Sequence, residues 1–185
     1  MEYVRQHTSL PVPGIINVQE LGEEARSETL RQLRSHFEHL HQLRPDVDVG
    51  ITSCSGGPVY DHRLDNRSTC GPFRTVAEFH DFLVAPVKKA PRPEWASKYR
   101  DRLPGHHEIR FTHADVSWEN ILVDSETGDV RGILDWEMAG FWPAWWEYRK
   151  ALFGARSEVL WMNVLKEVMT EYREETEVDM DLEMY

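Results

Sequence analysis

The spacing of apolar residues along the chain predicts a mainly helical protein. The clearest helix is predicted from Glu23 to Leu43, before Pro45. Its apolar residues recur at intervals of three and four, on one helix face: Leu30, Leu33, Phe37, Leu40 and Leu43. A capping box of Thr75 and Glu78 starts a second helix, which ends before Pro86. Its predicted buried face contains Val76, Phe79, Phe82 and Leu83.

Two more helices are predicted near the C-terminus, and a helical turn in the middle of the chain. Pro143 at a first-turn position begins one helix, which Gly154 ends. Ser157 can cap the last helix. The apolar stripe of that helix contains Trp161, Val164, Leu165, Val168 and Tyr172. The spacing of Trp95 and Tyr99 indicates a helical turn.

Shorter apolar runs predict a few strands between these helices. One strand is expected at the end of His106–Thr112, and two runs, Ile121–Val123 and Val130–Leu134, flank a polar turn. Gly128 in this turn can adopt a positive φ angle, so the two runs are predicted to pair as a β-hairpin. The segment Val49–Pro72 predicts a loop with short strands at most. The fold class is therefore α+β, mainly helical, with a small β-hairpin.

The composition indicates one globular domain. The 185 residues are 41% hydrophobic and 29% charged, and the sequence contains no apolar run long enough for a membrane span. No signal-peptide pattern opens the chain, so a cytoplasmic protein is expected. The net charge of −11 disfavours nucleic acid and anionic membranes as partners. The oligomeric state is left open.

Neither the cysteines nor the acidic C-terminus is predicted to have a functional role. Two thiols at Cys54 and Cys70 are favoured over a disulfide, because a cytoplasmic protein meets reducing conditions. In Glu171–Tyr185, seven acids accompany one arginine. Such a run of charge is typical of a solvated or frayed end.

Candidate chemistry lies between Phe111 and Gly140. Phosphoryl transfer to a hydroxyl needs a carboxylate that takes or orients the hydroxyl proton, and oxygen ligands that hold magnesium on the nucleotide phosphates. Asp115 fits the first role. Asn120 and Asp135 fit the second, because the open end of a hairpin brings them together. The pattern predicts a kinase for a small-molecule substrate, with Mg²⁺ and ATP.

The motifs of this region resemble those of the aminoglycoside phosphotransferase and choline-kinase-like family, and its fungal members most. They are H-A-D-V-S-W-E-N-I-L-V-D and G-I-L-D-W-E-M-A-G, and the similarity extends to G-G-P-V-Y-D-H-R-L, G-P-F-R-T-V-A-E-F-H-D-F-L and W-P-A-W-W-E-Y-R-K-A-L. The resemblance implies the C-terminal lobe of a protein-kinase-like fold. It also implies transfer of the γ-phosphate of ATP to a hydroxyl.

The resemblance implies roles for individual residues. Asp115 matches the catalytic base, and Asn120 and Asp135 match magnesium ligands. His113 matches a histidine that braces the loop, and Ala114 stands where glycine is common. A cationic amine or choline-like group could be received by the aromatic and acidic residues after the hairpin, such as Trp136, Glu137, Trp142, Trp145 and Glu147. Packing in the core is the alternative for Trp145 and Trp146.

The same resemblance predicts that most of the N-terminal lobe is missing. No glycine-rich loop precedes Thr8, and the first lysine is Lys88. We therefore expect residues 1–22 to be a remnant of that lobe, residues 23–172 to form the kinase-like C-terminal lobe, and residues 173–185 to be an acidic tail. A shortened product of a kinase-like gene is the corresponding hypothesis.

Three functions are compatible with these observations. The first is an ATP-dependent small-molecule phosphotransferase. The second is an inactive remnant or small-molecule binding module, favoured by the missing phosphate-binding parts, which supply much of the rate acceleration in this chemistry. The third is a magnesium-dependent hydrolase that uses the same acids without ATP, which no feature beyond the kinase pattern supports.

Overall fold

The computed structural model describes residues 21–45, 50–64, 68–155 and 159–185. Within these ranges the helices are α1 (Glu23–Leu40), α2 (Val76–Val84), α3 (Trp95–Arg102), α4 (Trp146–Ala155), α5 (Val159–Val168) and α6 (Arg173–Leu182). The strands are β1 (Thr52–Ser53), β2 (Val59–Tyr60), β3 (Thr69–Cys70), β4 (Ile109–Thr112), β5 (Ile121–Val123), β6 (Val130–Ile133) and β7 (Gly140–Pro143). The α+β class is confirmed. Most of the predicted N-terminal remnant, residues 1–20, lies outside the described residues, as does Ser157.

The strands form three small antiparallel sheets, and the largest contains a strand that the sequence pattern did not predict. Its order is β1-β7-β4, with β7 in the centre. The prediction that Pro143 begins a helix is wrong, because Pro143 is the last residue of β7 and pairs with Ile109. A proline is tolerated there because the sheet does not need its missing N–H at the strand end.

The predicted β-hairpin is confirmed, and α1 holds its turn. Strand β5 pairs with β6, and Gly128 in the turn has a φ angle of 78°. Thr29 Oγ1 on α1 donates to the Gly128 carbonyl over 2.8 Å, and Gln32 Oε1 accepts from Val130 N over 2.9 Å. A Cβ atom at Gly128 would lie 1.9 Å from the Ala25 carbonyl oxygen, so a glycine is required for this close approach.

The first helix is shorter than its apolar pattern predicted. It ends at Leu40, and Leu43 lies beyond it with 51% of its surface exposed. Leu33 and Phe37 are buried as expected and pack against α5, around Val164 and Leu165. Leu43 therefore belongs to the turn that follows α1.

The second helix confirms its capping signal. Thr75 Oγ1 accepts from Glu78 N over 3.1 Å, and Val76, Phe79 and Leu83 are buried. Phe82 was predicted to be buried but is 37% exposed. The Phe79 ring packs edge-on against Trp142 and Trp146, which form the centre of the core with Trp145.

The acidic C-terminal segment is not a solvated or frayed end, so that prediction is wrong. It forms α6, whose Val178 and Leu182 lie in the same core cluster as the tryptophans. Asp179 is fully buried, and two close cations offset the cost of burying its charge: its carboxylate lies 2.6 Å from Arg63 Nη2 and 2.8 Å from Arg149 Nε. The acids of this segment thus include a buried ion-pair partner.

Two further predictions concern the cysteines and membrane-spanning helices. Cys54 and Cys70 form no disulfide, as predicted. No helix in the described ranges combines the length and the apolar character that a membrane span requires.

Candidate active site

The predicted catalytic loop, from His113 to Asn120, follows β4. Glu147 on α4 holds the start of this loop through its backbone. The two carboxylate oxygens of Glu147 accept hydrogen bonds from His113 N over 2.8 Å and from Ala114 N over 2.9 Å. Glu147 is only 1% exposed, and bonds from backbone N–H groups to a buried carboxylate are strong. The backbone immediately before Asp115 is therefore fixed.

The His113 ring connects this loop to the end of the hairpin. Its Nδ1 atom accepts from Asp115 N over 3.2 Å, and its Nε2 atom lies 2.9 Å from the Leu134 carbonyl oxygen. Because the carbonyl can only accept, these partners assign the proton to Nε2. His113 thereby ties the loop to the residue that precedes Asp135.

Asn120 and Asp115 are joined directly. Asn120 Nδ2 donates to the Asp115 carbonyl over 3.0 Å and to Asp115 Oδ2 over 3.3 Å. Because the amide nitrogen makes both contacts, the remaining oxygen, Oδ1, is the Asn120 atom suited to a metal ion. Asn120 ends a short 3-10 helix, Trp118–Asn120, that leads into β5.

Asp115 is half-buried, and its environment changes its acidity. Burial raises the pKa of its carboxyl above the usual value, and the charge of Asp135 adds to the increase. Lys150 and His62 act in the opposite direction and lower this pKa. A raised pKa makes a carboxylate a stronger base once it is ionised.

Asp135 lies beside this pair at the open end of the hairpin. The hydrogen bond from Leu134 N to the Asn120 carbonyl, 2.8 Å long, holds the two strand ends together. Asp135 is exposed and starts a second 3-10 helix, Trp136–Met138. The structure therefore brings Asp115, Asn120 and Asp135 together, as the sequence predicted.

Backbone strain is concentrated at this site. Ala114 and Asp135, with φ angles of 62° and 66°, are the non-glycine residues with positive φ in the described ranges. This conformation costs about 1–2 kcal/mol for most residues. It gives a physical reason for the glycine that is common at the position of Ala114 in the family that the motifs resemble.

The donor set fits magnesium rather than a metal caged by protein alone. Asn120 Oδ1 and the Asp135 carboxylate are hard oxygen donors, and Asp135 is open to solvent. Among the described residues, no group of three or more His, Cys, Asp or Glu side chains is arranged as a metal site. Magnesium commonly binds one or two protein oxygens and takes its other ligands from phosphate and water.

The residues predicted to contact substrate separate into two groups. Trp136 is 43% exposed, its Nε1 donates to the Ile133 carbonyl over 2.7 Å, and Glu137 is also exposed. Trp142 is fully buried and stacks on Trp146 with ring centroids 5.3 Å apart. The expectation that Trp142 contacts substrate is therefore wrong, because its ring has no exposed face. Trp145 and Glu147 are buried as well.

The sequence patterns did not predict a buried ion pair between Lys150 and Asp61. Lys150 Nζ donates to Asp61 Oδ1 over 2.7 Å, and Trp146 Nε1 donates to Asp61 Oδ2 over 3.0 Å. Asp61 and Lys150 are 1% and 2% exposed. Their separation of 89 positions leaves no local signal, and the motifs that contain them were noted only for their resemblance to a family.

A comparison with known protein families finds a match over most of the chain. The family model described as "Phosphotransferase enzyme family" (APH) matches residues 1–180. The matched range contains the loop with Asp115, the hairpin and Asp135. No curated protein matches the chain in a sequence comparison.

Proposed function

The chain belongs to the phosphotransferase enzyme family, and we propose that it transfers the γ-phosphate of ATP to a small-molecule hydroxyl with Mg²⁺ as cofactor. One observation carries the proposal. The Asp115 carboxylate and the Asn120 side chain are hydrogen-bonded to each other, at the hairpin end where Asp135 lies. Base and metal donors are thereby adjacent, as in-line phosphoryl transfer requires.

The residues have distinct roles in this mechanism. Asp115 accepts the proton of the acceptor hydroxyl, while Glu147 and His113 keep its backbone in position. Asn120 Oδ1 and Asp135 would hold magnesium, which offsets phosphate charge when it is bound. Since Asp115 acts as a base only when ionised, the rate should fall as the pH drops through its raised pKa.

The test is phosphoryl transfer by the full chain. Mg-ATP is supplied with a panel of hydroxyl compounds, and ADP release and phosphorylated product are measured. Asp115→Asn is expected to lower the rate by about 10²- to 10⁴-fold, since the base is lost. The matched control is Asp101→Asn, an exposed residue on α3. Product formation that Asp115→Asn does not reduce would contradict the mechanism.

A binding module without turnover is the second candidate, and the placement of the lysines favours it. The chain has five lysines: Lys98, Lys150 and Lys166 lie on α3, α4 and α5, and Lys88 and Lys89 end a short 3-10 helix, Pro86–Lys89. None therefore occupies a strand, from which kinases of this type pair the ATP phosphates. A thermal shift with a hydroxyl compound, without any ADP release, would support this candidate over the first.

A further inference from the structure

The turn after β2 is bonded to two different helices on either side of His62. The buried Asp61 carboxylate accepts from Lys150 Nζ on α4 over 2.7 Å, and it also accepts from Arg63 N over 2.8 Å. Arg63 Nη2 donates to the buried carboxylate of Asp179 on α6 over 2.6 Å. Both neighbours of His62 are therefore anchored, and the position of its backbone is fixed.

Helix α4 brings this turn to the catalytic loop. Glu147, which holds the backbone immediately before Asp115, lies three positions before Lys150 on the same helix face. Four positions after Lys150, a Cβ atom at Gly154 would lie 4.0 Å from the Cβ atom of Ser117. The loop that carries Asp115 thus runs along α4 past Lys150, to which the turn after β2 is bonded.

Strand β2 connects the same turn to the metal side of the site. It contacts the short 3-10 helix that Asp135 starts, and the Tyr60 ring of β2 lies edge-on to the His62 ring with centroids 5.9 Å apart. The electrostatics agree with this placement. Burial raises the pKa of the Asp115 carboxyl, and Lys150 and His62 are the charges that lower this pKa most. His62 is therefore beside the predicted base.

Of the groups described around Asp115, His62 keeps its ring nitrogens available for a ligand. The groups able to carry positive charge that act most on Asp115 are Lys150, His62 and His113. Lys150 is buried and bonded to Asp61, and both ring nitrogens of His113 have backbone partners. His62 is partly exposed, and no residue in the described ranges forms a hydrogen bond or an ion pair with its ring.

We propose that His62 is a further catalytic residue, which donates a ring N–H to an oxygen of the transferred γ-phosphoryl group. The proposal rests on the proposed function. The acceptor hydroxyl gives its proton to Asp115 while its oxygen bonds to the γ-phosphorus, so a donor beside the Asp115 carboxyl faces the phosphoryl oxygens. The bond from phosphorus to the bridging oxygen breaks, ADP leaves, and His62 keeps its proton. Such a donor stabilises the charge that develops on the phosphoryl oxygens.

Nucleotide binding tests this contact, since the γ-phosphoryl group is present in ATP and absent from ADP. Calorimetric titration of the full chain with Mg-ATP and with Mg-ADP measures both affinities. His62→Ala is expected to weaken Mg-ATP about tenfold and Mg-ADP less than about twofold. His106→Ala, at an exposed position before β4, is the matched control and should change neither affinity. Equal weakening of the two nucleotides, or no weakening of Mg-ATP, would overturn the proposal.

A second variant separates the hydrogen bond from a structural role. His62→Lys again supplies N–H donors, so it should recover most of the Mg-ATP affinity that His62→Ala loses. The melting temperature without nucleotide should be the same in both variants and the wild type, because the His62 ring forms no hydrogen bond in the described ranges. A His62→Lys variant that binds Mg-ATP as weakly as His62→Ala would contradict the proposal.

NMR of the histidine rings tests the placement of His62 without any nucleotide. His62→Ala identifies its ring signals by their disappearance. Asp115→Asn removes the neighbouring carboxylate, so it is expected to shift the His62 signals and to leave the His106 signals in place. His62 signals that do not move in Asp115→Asn would show that the ring is not beside the base.

The outcomes distinguish this proposal from the proposed function. If His62→Ala selectively weakens Mg-ATP and no hydroxyl compound is phosphorylated, the contact is supported and the phosphotransferase function is contradicted. If the wild type phosphorylates a hydroxyl compound and His62→Ala binds and uses Mg-ATP equally well, the function is supported and the role of His62 is contradicted. A wild type that binds neither nucleotide contradicts both.

Discussion

Two pairs of aspartates in this protein occupy opposite environments. Asp61 and Asp179 are buried, and each carboxylate contacts a lysine or an arginine. Asp115 is half-buried and Asp135 is exposed, and neither forms an ion pair with any residue in the described ranges. The first pair belongs to the framework, whereas the carboxylates of the second pair remain open to a ligand.

The difference follows from the energetics of desolvation. Removing a charge from water costs several kcal/mol, which a close partner only offsets when the geometry is good. Asp61 and Asp179 therefore need Lys150 and Arg149, and the loss of one partner leaves the other charge buried alone. Asp115 and Asp135 keep contact with solvent, so the fold depends little on their charge.

Lys150→Met should have the largest effect. It leaves Asp61 buried without its cation, so the free energy of unfolding should fall by about 3–5 kcal/mol. Urea denaturation measures the change, and Lys166→Met at an exposed position of α5 is the matched control. The double variant Asp61→Asn with Lys150→Met should recover part of the loss. A loss below about 1 kcal/mol would mean that the ion pair is not a framework element.

His80 is a buried titratable group that forms no ion pair in the described ranges. It therefore shows how burial of an unpaired group affects stability as the pH changes. It is fully buried, and burial lowers its pKa from 6.5 to about 4, with Arg100 and His107 adding to the decrease. The lowered pKa keeps His80 neutral in the native state. Its contribution to the free energy of unfolding is therefore fully present above pH 6.5. As the pH falls from 6.5 towards 4, the unfolded chain binds a proton first, so about 3 kcal/mol of stability is lost.

The measurement is the free energy of unfolding at several pH values in the wild type and in His80→Phe. The wild type should lose more stability on acidification than the variant, by about 3 kcal/mol at most. Parallel pH curves for the two proteins would show that His80 titrates normally.

Asp135→Asn should have the smallest effect on stability. The site is exposed and asparagine tolerates positive φ, so the free energy of unfolding should change by less than about 0.5 kcal/mol. The increase in melting temperature caused by Mg-ATP should be strongly reduced, because a charged metal ligand is lost. Asp124→Asn is a poor control since Asp124 caps the hairpin turn, whereas Asp101→Asn is a neutral one. A large loss of stability in Asp135→Asn would remove the distinction between the two aspartate pairs.

Local sequence patterns predicted the elements whose defining contacts join residues that lie close together along the chain. The hairpin was predicted because two apolar runs flank a turn with Gly128, and α2 because Thr75 and Glu78 lie three positions apart. Strand β7 was missed because it has four residues, and its identity depends on β1 and β4, which flank it on both sides. Helix α6 was missed because its charge suggested solvent, although Val178 and Leu182 have helical spacing.

The family motifs, the hairpin and the proximity of Asp115, Asn120 and Asp135 can be predicted from local sequence patterns. Those features depend on spacing within one stretch of about thirty residues. Which charges are buried depends on long-range contacts, because Asp61 pairs with Lys150 across 89 positions and Arg63 pairs with Asp179 across 116. The same long-range packing buried Trp142 and left Phe82 partly exposed. Desolvation depends on every neighbour in space, and a local pattern contains only the neighbours in sequence.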